Sequence, residues 1–255
     1  MINESTFNKM IEMRLTAMAD AYRMQINDNS LNELSFEERM GLLIDVEYRS
    51  RKNNRLKRLI KKATFDQPHA CIADINYTAN RKLDKALITR LANCDYIAEK
   101  HNVILMGATG AGKTFLACAL GMEACKQFYS TKYIRLPELL SDLAVARGLG
   151  IFSKVVEQYR KYQLLIIDEW MLVALTETEA KDLLEIIHYR HKRGSTIFCS
   201  QFSYAGWHTK IGEAVLADAI LDRIVHDSYM VEIHSDPKRD KSMREYYGIN
   251  HKQQV

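Results

Sequence analysis

Residues 107–114 read Gly-Ala-Thr-Gly-Ala-Gly-Lys-Thr, a stretch of the form G-x-x-x-x-G-K-[ST]. It constrains the fold because it works only between a strand and a helix, where backbone N–H groups converge on an anion. Both flanks are present in the sequence. His101–Met106 is a short apolar run of strand type, and Phe115–Lys126 has helical character. The octapeptide is therefore read as a phosphate-binding P-loop rather than a glycine turn with an incidental Lys-Thr. Its glycines let the chain wrap closely around a triphosphate, so that successive N–H groups face inward as a nest. Lys113 would set an ammonium against the β- and γ-phosphates, and Thr114 would offer a hydroxyl to Mg²⁺. ATP and Mg²⁺ are the expected cofactors. The expected loop contacts are Gly107, Ala108, Thr109, Gly110, Ala111, Gly112, Lys113, Thr114 and Phe115.

The second chemical signal lies about fifty residues later. Leu164–Glu169 reads Leu-Leu-Ile-Ile-Asp-Glu, four apolar residues ending in two carboxylates. Such a run describes a strand buried on both faces, with the acids at its C-terminal end. In an open parallel sheet that end is where ligands bind. Asp168 would hold the Mg²⁺ shell beside Thr114, and Glu169 would polarise the attacking water as general base. Further on, Ser195–Cys199 reads as another buried strand ending in Ser200-Gln201. Gln201 would touch the γ-phosphate or its water, the alternative being a simple turn.

Charge is distributed unevenly. Arg49, Arg51, Lys52, Arg55, Lys57, Arg58, Lys61 and Lys62 form a run of eight basic residues without an acid, in a chain whose net charge is +4. The rest of the chain is therefore net negative. One reading of the run is a solvated helix face. The other is an arm that tracks phosphates, since such charge density is costly to concentrate without an anionic partner. Eight cations would give strongly salt-dependent DNA binding. The apolar stripe here is thin and has no Trp or Phe, which argues against a membrane surface.

Around these motifs the chain reads as helices and short strands. Phe7, Ile11, Leu15, Met18 and Tyr22 recur at helical spacing, and the polar Asn27–Asn32 stretch breaks that pattern. Ser35 with Glu38 makes a capping box for a helix running on into the basic stretch. Residues 1–66 are expected to form a small helical N-terminal domain carrying the basic arm 49–62. Phe65–Asn80, with Pro68, is the junction, and residues 67–255 form the second domain. Arg81–Lys100 is expected as one amphipathic helix, followed after the P-loop helix by a strand over Lys132–Arg135. Pro137 suits a helix first turn. Arg147-Gly148-Leu149-Gly150 interrupts the next helical pattern, which resumes over Phe152–Tyr162. Thr176 with Glu179 caps a helix that Gly194 stops.

With 255 residues and 47% hydrophobic content, the chain can bury one good core and a small second unit. No apolar run is long enough to cross a bilayer, and the N-terminus lacks a signal-peptide core. The five cysteines form no C-x-x-C pair and no metal spacing, which suits a reducing compartment. The expected location is the cytoplasm.

Together these motifs resemble the IstB-type transposition helper ATPases of the AAA+ superfamily, near the helicase loaders of the DnaC type. The resemblance is carried by Gly107–Thr114, by Leu164–Trp170, and by Cys199-Ser200-Gln201-Phe202. It is carried further by Trp207-His208, Ile211-Gly212, the stretch Leu216–His226, and Ser242-Met243-Arg244. It implies an α/β fold: an AAA+ P-loop core with a five-stranded parallel sheet flanked by helices, and a small all-α N-terminal domain. It implies ATP-dependent self-assembly on double-stranded DNA and delivery of target DNA to a partner transposase. Arg223 aligns with an arginine finger that completes the neighbouring subunit's ATP site; a salt bridge to Asp218, Asp222 or Asp227 is the alternative. Arg244 matches a phosphate-contacting position in cis, with an exposed tail cation as the alternative. Ile75 and Tyr77 fall where the family contacts the base, and Arg147–Lys154 falls where it would line a DNA path. The family's pattern at 168–170 is often Asp-Asp-Trp; this chain has Asp168-Glu169-Trp170, and glutamate is what AAA+ ATPases generally use.

Three functions share this chemistry: a transposase helper, a replicative helicase loader, and a nucleotide-gated DNA scaffold with negligible turnover. The Leu216–His226 block favours the first. A small-molecule P-loop kinase would need a substrate lid, for which the sequence offers no compelling candidate.

Overall fold

The N-terminal helical pattern resolves into three helices where the sequence suggested two. They are α1 (Ile2–Glu12), α2 (Thr16–Asn27) and α3 (Phe36–Ala63). The stripe from Phe7 to Tyr22 is interrupted at Arg14, whose φ is 60°. There Leu15 N–H donates to Met10 O at 2.8 Å and Arg14 N–H to Ile11 O at 2.9 Å. This is a Schellman stop formed without glycine, which is why spacing alone did not reveal it. The Ser35–Glu38 capping box is present in both directions, at 3.2 and 2.8 Å.

The computed structural model describes residues 2–77 and 82–234. The chain divides into two compact units, Met1–Arg58 and Leu59–Val255, and the division falls inside α3 rather than after it. In the first unit Met18, Ala19 and Leu43 are buried. Leu15, at the start of α2, gives no side-chain cap. Glu47 of α3 takes that role, accepting Met18 N–H at 3.0 Å while paired with Arg51 at 2.7 Å. Arg51 also donates to Arg14 O at 3.0 Å, so one ion pair satisfies both ends of the α1–α2 turn.

The second unit contains the five-stranded parallel sheet. Its helices are α4 (Lys85–Ala92), α5 (Asp95–Ala98), α6 (Lys113–Lys126), α7 (Leu136–Gly148), α8 (Phe152–Lys161), α9 (Glu177–Arg190), α10 (Tyr204–Ile211) and α11 (Ala214–Val225). Its strands are β1 (Asn102–Gly107), β2 (Thr131–Arg135), β3 (Leu164–Asp168), β4 (Ser195–Ser200) and β5 (Ser228–Ile233). They lie side by side in the order β2-β3-β4-β1-β5, every pair parallel. β3 and β4 are buried along their whole length, as strands covered on both faces must be.

Alternation along β3 sorts its side chains between two layers. Leu165 and Ile167 join Ile134, Phe198 and residues of α7, α8, α9, α10 and α11 in one core. Ile166 faces α6, and so closely that a Cβ on Gly121 would lie 2.8 Å from it. The expected single helix over 81–100 is instead α4 and α5. Cys94, left-handed at φ 63°, separates them, and no glycine signals the break. The break at 147–150 is as the glycines suggested. Gly150 is left-handed at φ 69°, and Ile151 N–H returns to Ala146 O at 2.9 Å.

Candidate functional site

β4 lies between β1 and β3, so the segments following these three strands open side by side at one end of the sheet. The loop after β1 is pressed against β5, since a Cβ on Gly107 would sit 2.7 Å from Ile233 O. Gly112, at φ 95°, turns the chain into α6 in a conformation that side chains resist, and the helix begins without a side-chain cap. Its first-turn N–H groups have no partner within the helix, the arrangement that receives an anion.

Lys113 folds back over this loop. Its Nζ donates to Gly107 O at 2.7 Å and Ala108 O at 2.8 Å. Burial lowers its proton affinity, while Cys199 and the Asp168 carboxylate act the other way. Thr114 Oγ1 donates to Asp168 Oδ2 at 2.6 Å. Asp168 Oδ2 also accepts from the buried Tyr133 hydroxyl at 2.9 Å, and Oδ1 accepts Glu169 N–H at 2.7 Å. Burial first, and then Asp168, raise the proton affinity of the Tyr133 phenol, which therefore acts as a neutral donor. The fully buried Cys199 thiol is likewise pushed well up by burial and by Asp168.

Glu169 sits in the left-handed region at φ 55°, an uncommon place for a side-chain-bearing residue. Its carboxylate is 3.8 Å from Arg135, whose guanidinium also holds Glu138 at 2.6 Å. After β4, Gln201 accepts from Thr109 Oγ1 at 2.7 Å, tying the P-loop to the strand beside it.

A cavity of about 1170 Å³ opens among these groups. Thr109 to Phe115, Asp168, Glu169 and Gln201 line it, whereas Gly107 and Ala108 lie behind it with their carbonyls on Lys113. Ile75 lines the cavity; Tyr77 does not, and its ring lies 5.7 Å from Lys85 Nζ. Gln67, His69, Asp74, Asn76 and Leu83 also contribute to the wall. Their sequence shows no motif, and only Pro68 marked the segment as irregular. Tyr133 was missed as well. Two places before the end of β2, it has the strand periodicity of an ordinary core residue.

The donor set fits a nucleotide and a divalent cation. The loop offers a half-buried ammonium and uncapped helix N–H groups; Thr114 and Asp168 offer a hydroxyl and a carboxylate in contact. Among the described residues no group of three or more His, Cys, Asp or Glu could hold a metal by protein ligands alone. A hard cation here would keep water and phosphate oxygens in its shell.

The remaining expected residues lie elsewhere. Arg223 does not line the cavity. Its Nη1 donates to Ala219 O at 2.7 Å, and the salt bridge considered as its alternative is not formed with Asp218, Asp222 or Asp227. Asp218 and Asp222 face His208 at 3.3 Å and His226 at 3.5 Å. Arg244, with Ser242 and Met243, lies outside the described residues. The basic run occupies exposed positions of α3. Within it Arg49 faces Asp45 at 3.6 Å, Lys52 lies 4.6 Å from the Tyr48 ring, and Arg51 is engaged by Glu47. Arg147 is bonded to the buried Asp182 and stacks on Phe152 at 4.3 Å, which ties down the first residue of the 147–154 stretch.

Comparison with known proteins agrees with this geometry. The family described as IstB-like ATP binding protein matches residues 8–246. The chain is 43% identical to an IS1162 insertion-sequence ATP-binding protein of Pseudomonas fluorescens, over 79% of this chain and 87% of that one. It is 37% identical to the insertion-sequence ATP-binding protein y4pL of Sinorhizobium fredii, over 96% and 99%. Among solved structures, DnaI aligns with a TM-score of 0.57 at 22% identity, covering 70% of this chain and 94% of that one. The replication initiator DnaA bound to AMPPCP and single-stranded DNA aligns with a TM-score of 0.54 at 18% identity, over 66% and 51%. At such identities the structural likeness speaks for the fold alone, which is that of the AAA+ P-loop proteins.

Proposed function

Since this chain belongs to the IstB-like ATP-binding proteins, we propose that it is an Mg²⁺-dependent ATPase that assembles on double-stranded DNA and assists a partner transposase. The observation that carries the reading is the convergence of Lys113, Thr114, Asp168, Glu169 and Gln201 on one cavity at the ends of β1, β3 and β4. Lys113 would exchange its two carbonyl partners for β- and γ-phosphate oxygens. Thr114 and Asp168 would hold Mg²⁺, which when bound supplies positive charge against the phosphate oxygens. Glu169 would accept a proton from the attacking water at its carboxylate, and Gln201 would orient that water. Arg223 would act on the site of a neighbouring copy, because a guanidinium is always charged and shaped for two phosphate contacts. Arg244 would contact phosphate in cis. The cations of 49–62 would follow the DNA backbone.

Lys113→Ala is expected to abolish ATP-dependent assembly on DNA, followed by sedimentation; unchanged cooperative assembly in that variant rejects the reading. Glu169→Gln separates binding from turnover. Phosphate release on DNA should fall about 100-fold or more while nucleotide affinity is retained. Equal release by variant and wild type would leave a nucleotide-gated scaffold and sink the ATPase assignment. Retention of a transposase rather than a replicative helicase in a pull-down identifies the partner class.

A further inference from the structure

Asp168 is held by more groups than its two neighbouring motifs supply. Thr114 belongs to the P-loop and Glu169 N–H to the next peptide, but the Tyr133 hydroxyl comes from β2, the strand at the sheet edge. The ring is buried, with 5% of its surface exposed. A phenylalanine would fill the same space without burying a hydroxyl, and a buried hydroxyl is costly unless bonded. The tyrosine is itself fixed from behind. Thr64 Oγ1 accepts from Lys132 Nζ at 2.9 Å and shares its one proton between Ala63 O at 2.8 Å and Tyr133 O at 3.3 Å, which ties this stretch of β2 to the segment after α3.

The two hydroxyls fall on the same carboxylate oxygen, Oδ2, from different sides of the strand order: α6 follows β1, whereas Tyr133 lies on β2. A carboxylate oxygen has two lone-pair directions. With both taken, Oδ2 is held from two sides, and with Glu169 N–H on Oδ1 a turn of Asp168 about its Cβ–Cγ bond breaks three hydrogen bonds at once. Without Tyr133 the carboxylate would keep Thr114 on Oδ2 and Glu169 N–H on Oδ1, but Oδ2 would be held from one side only.

We propose that Tyr133 is a positioning residue that fixes the Asp168 carboxylate for the divalent cation bound with the nucleotide. This rests on the ATP-site reading above. Tyr133 does not line the cavity, so its effect is confined to the metal-dependent part of nucleotide affinity. Loss of one hydrogen bond to a carboxylate corresponds to roughly a tenfold change.

The test uses the full chain and a fluorescent ATP analogue, titrated in EDTA and then against increasing Mg²⁺. In Tyr133→Phe the affinity in EDTA should stay within about twofold of wild type, while the Mg²⁺ concentration for half-maximal tightening rises roughly tenfold. An unchanged Mg²⁺ midpoint overturns the proposal. Equal losses in EDTA and in Mg²⁺ also overturn it, because the hydroxyl would then serve the fold of the loop as a whole. If wild type itself shows no nucleotide affinity under either condition, the ATP-site reading fails first. The two failures are thus distinguishable.

Discussion

Thr114 Oγ1 and Asp168 Oδ2 lie 2.6 Å apart, joining residues separated by 54 positions in sequence and by β4 in the sheet. The bond couples the start of the P-loop helix to the acid at the end of β3. In Thr114→Ser the hydroxyl survives, and ATP turnover on DNA should stay within about threefold of wild type. In Thr114→Ala both the proposed metal ligand and one hold on Asp168 are lost. Turnover should then drop by roughly 10- to 100-fold. Steady-state phosphate release separates the pair; similar activity in both variants would detach the hydroxyl from the chemistry.

Glu47 makes the first unit acid-sensitive. Burial alone would raise its proton affinity, but the Arg51 hydrogen bond and the Met18 N–H outweigh it and hold the carboxyl below its ordinary 4.5. A carboxyl depressed by folding stabilises the fold above its unfolded value, and that contribution is lost as pH falls through the lower folded value. Unfolding of the N-terminal helices should therefore become easier below about pH 4.5. Glu47→Gln should cost about 1–2 kcal/mol at pH 7 and flatten this acid limb. Helical circular dichroism of the full chain against pH and denaturant checks both.

Whether a feature was legible in the sequence depended on how local its cause is. The P-loop, the β3 acids, the two capping boxes and the Gly150 stop each depend on residues within one turn or strand end, and each was readable. The breaks at Arg14 and Cys94 use left-handed residues other than glycine, so periodicity ran straight through them. The α2 cap supplied by Glu47, from 29 positions away, and the Tyr133 hold on Asp168, from 35, are tertiary. Neither leaves a mark on its own segment. The same applies to Gln67, His69, Asp74, Asn76 and Leu83, which belong to a site only because they meet the P-loop around one cavity.

Arg190 supports the opposite end of the sheet. This buried guanidinium, which burial pulls down to about 9, donates to Tyr159 O at 2.9 Å, Tyr162 O at 2.7 Å, Ser195 O at 2.5 Å and Thr196 Oγ1 at 3.0 Å. It satisfies carbonyls at the end of α8 and the start of β4 that no apolar residue could serve. Arg190→Met should cost about 3 kcal/mol or more, since several buried acceptors lose their donor together. Chemical denaturation measures this. Nucleotide affinity of the folded fraction should be unchanged, because the residue does not line the ATP cavity.

The basic stretch of α3 admits a solvated face or a DNA arm, and salt separates them. Arg55, Lys57, Arg58 and Lys61 are exposed along the helix. Replacing all four with Gln should reduce the slope of log affinity against log salt by up to about 3 to 4 if each neutralises a phosphate. An unchanged slope returns the run to a solvated surface. Arg51 is left out of the set, because its removal would also release Glu47.

Arg223 is the residue whose role depends most on a second copy. Its guanidinium spends one donor on Ala219 O of its own helix, forms no ion pair with Asp218 or Asp222, and does not line the cavity of its own chain. A guanidinium has five donors, so this one bond leaves most of the fork for a phosphate of a neighbour. Arg223→Ala and Glu169→Gln should each lower DNA-stimulated turnover about 100-fold or more when assayed alone. Mixed in equal amounts, they pair an intact Glu169 site on one copy with an intact Arg223 on the next. Random neighbours would then restore roughly a quarter of wild-type turnover. Glu169→Gln is the suitable companion because it keeps nucleotide binding, and hence assembly, while Lys113→Ala would not. A mixture no more active than the sum of its parts would place Arg223 in cis or outside the reaction, and the ATP site would then be complete within one chain.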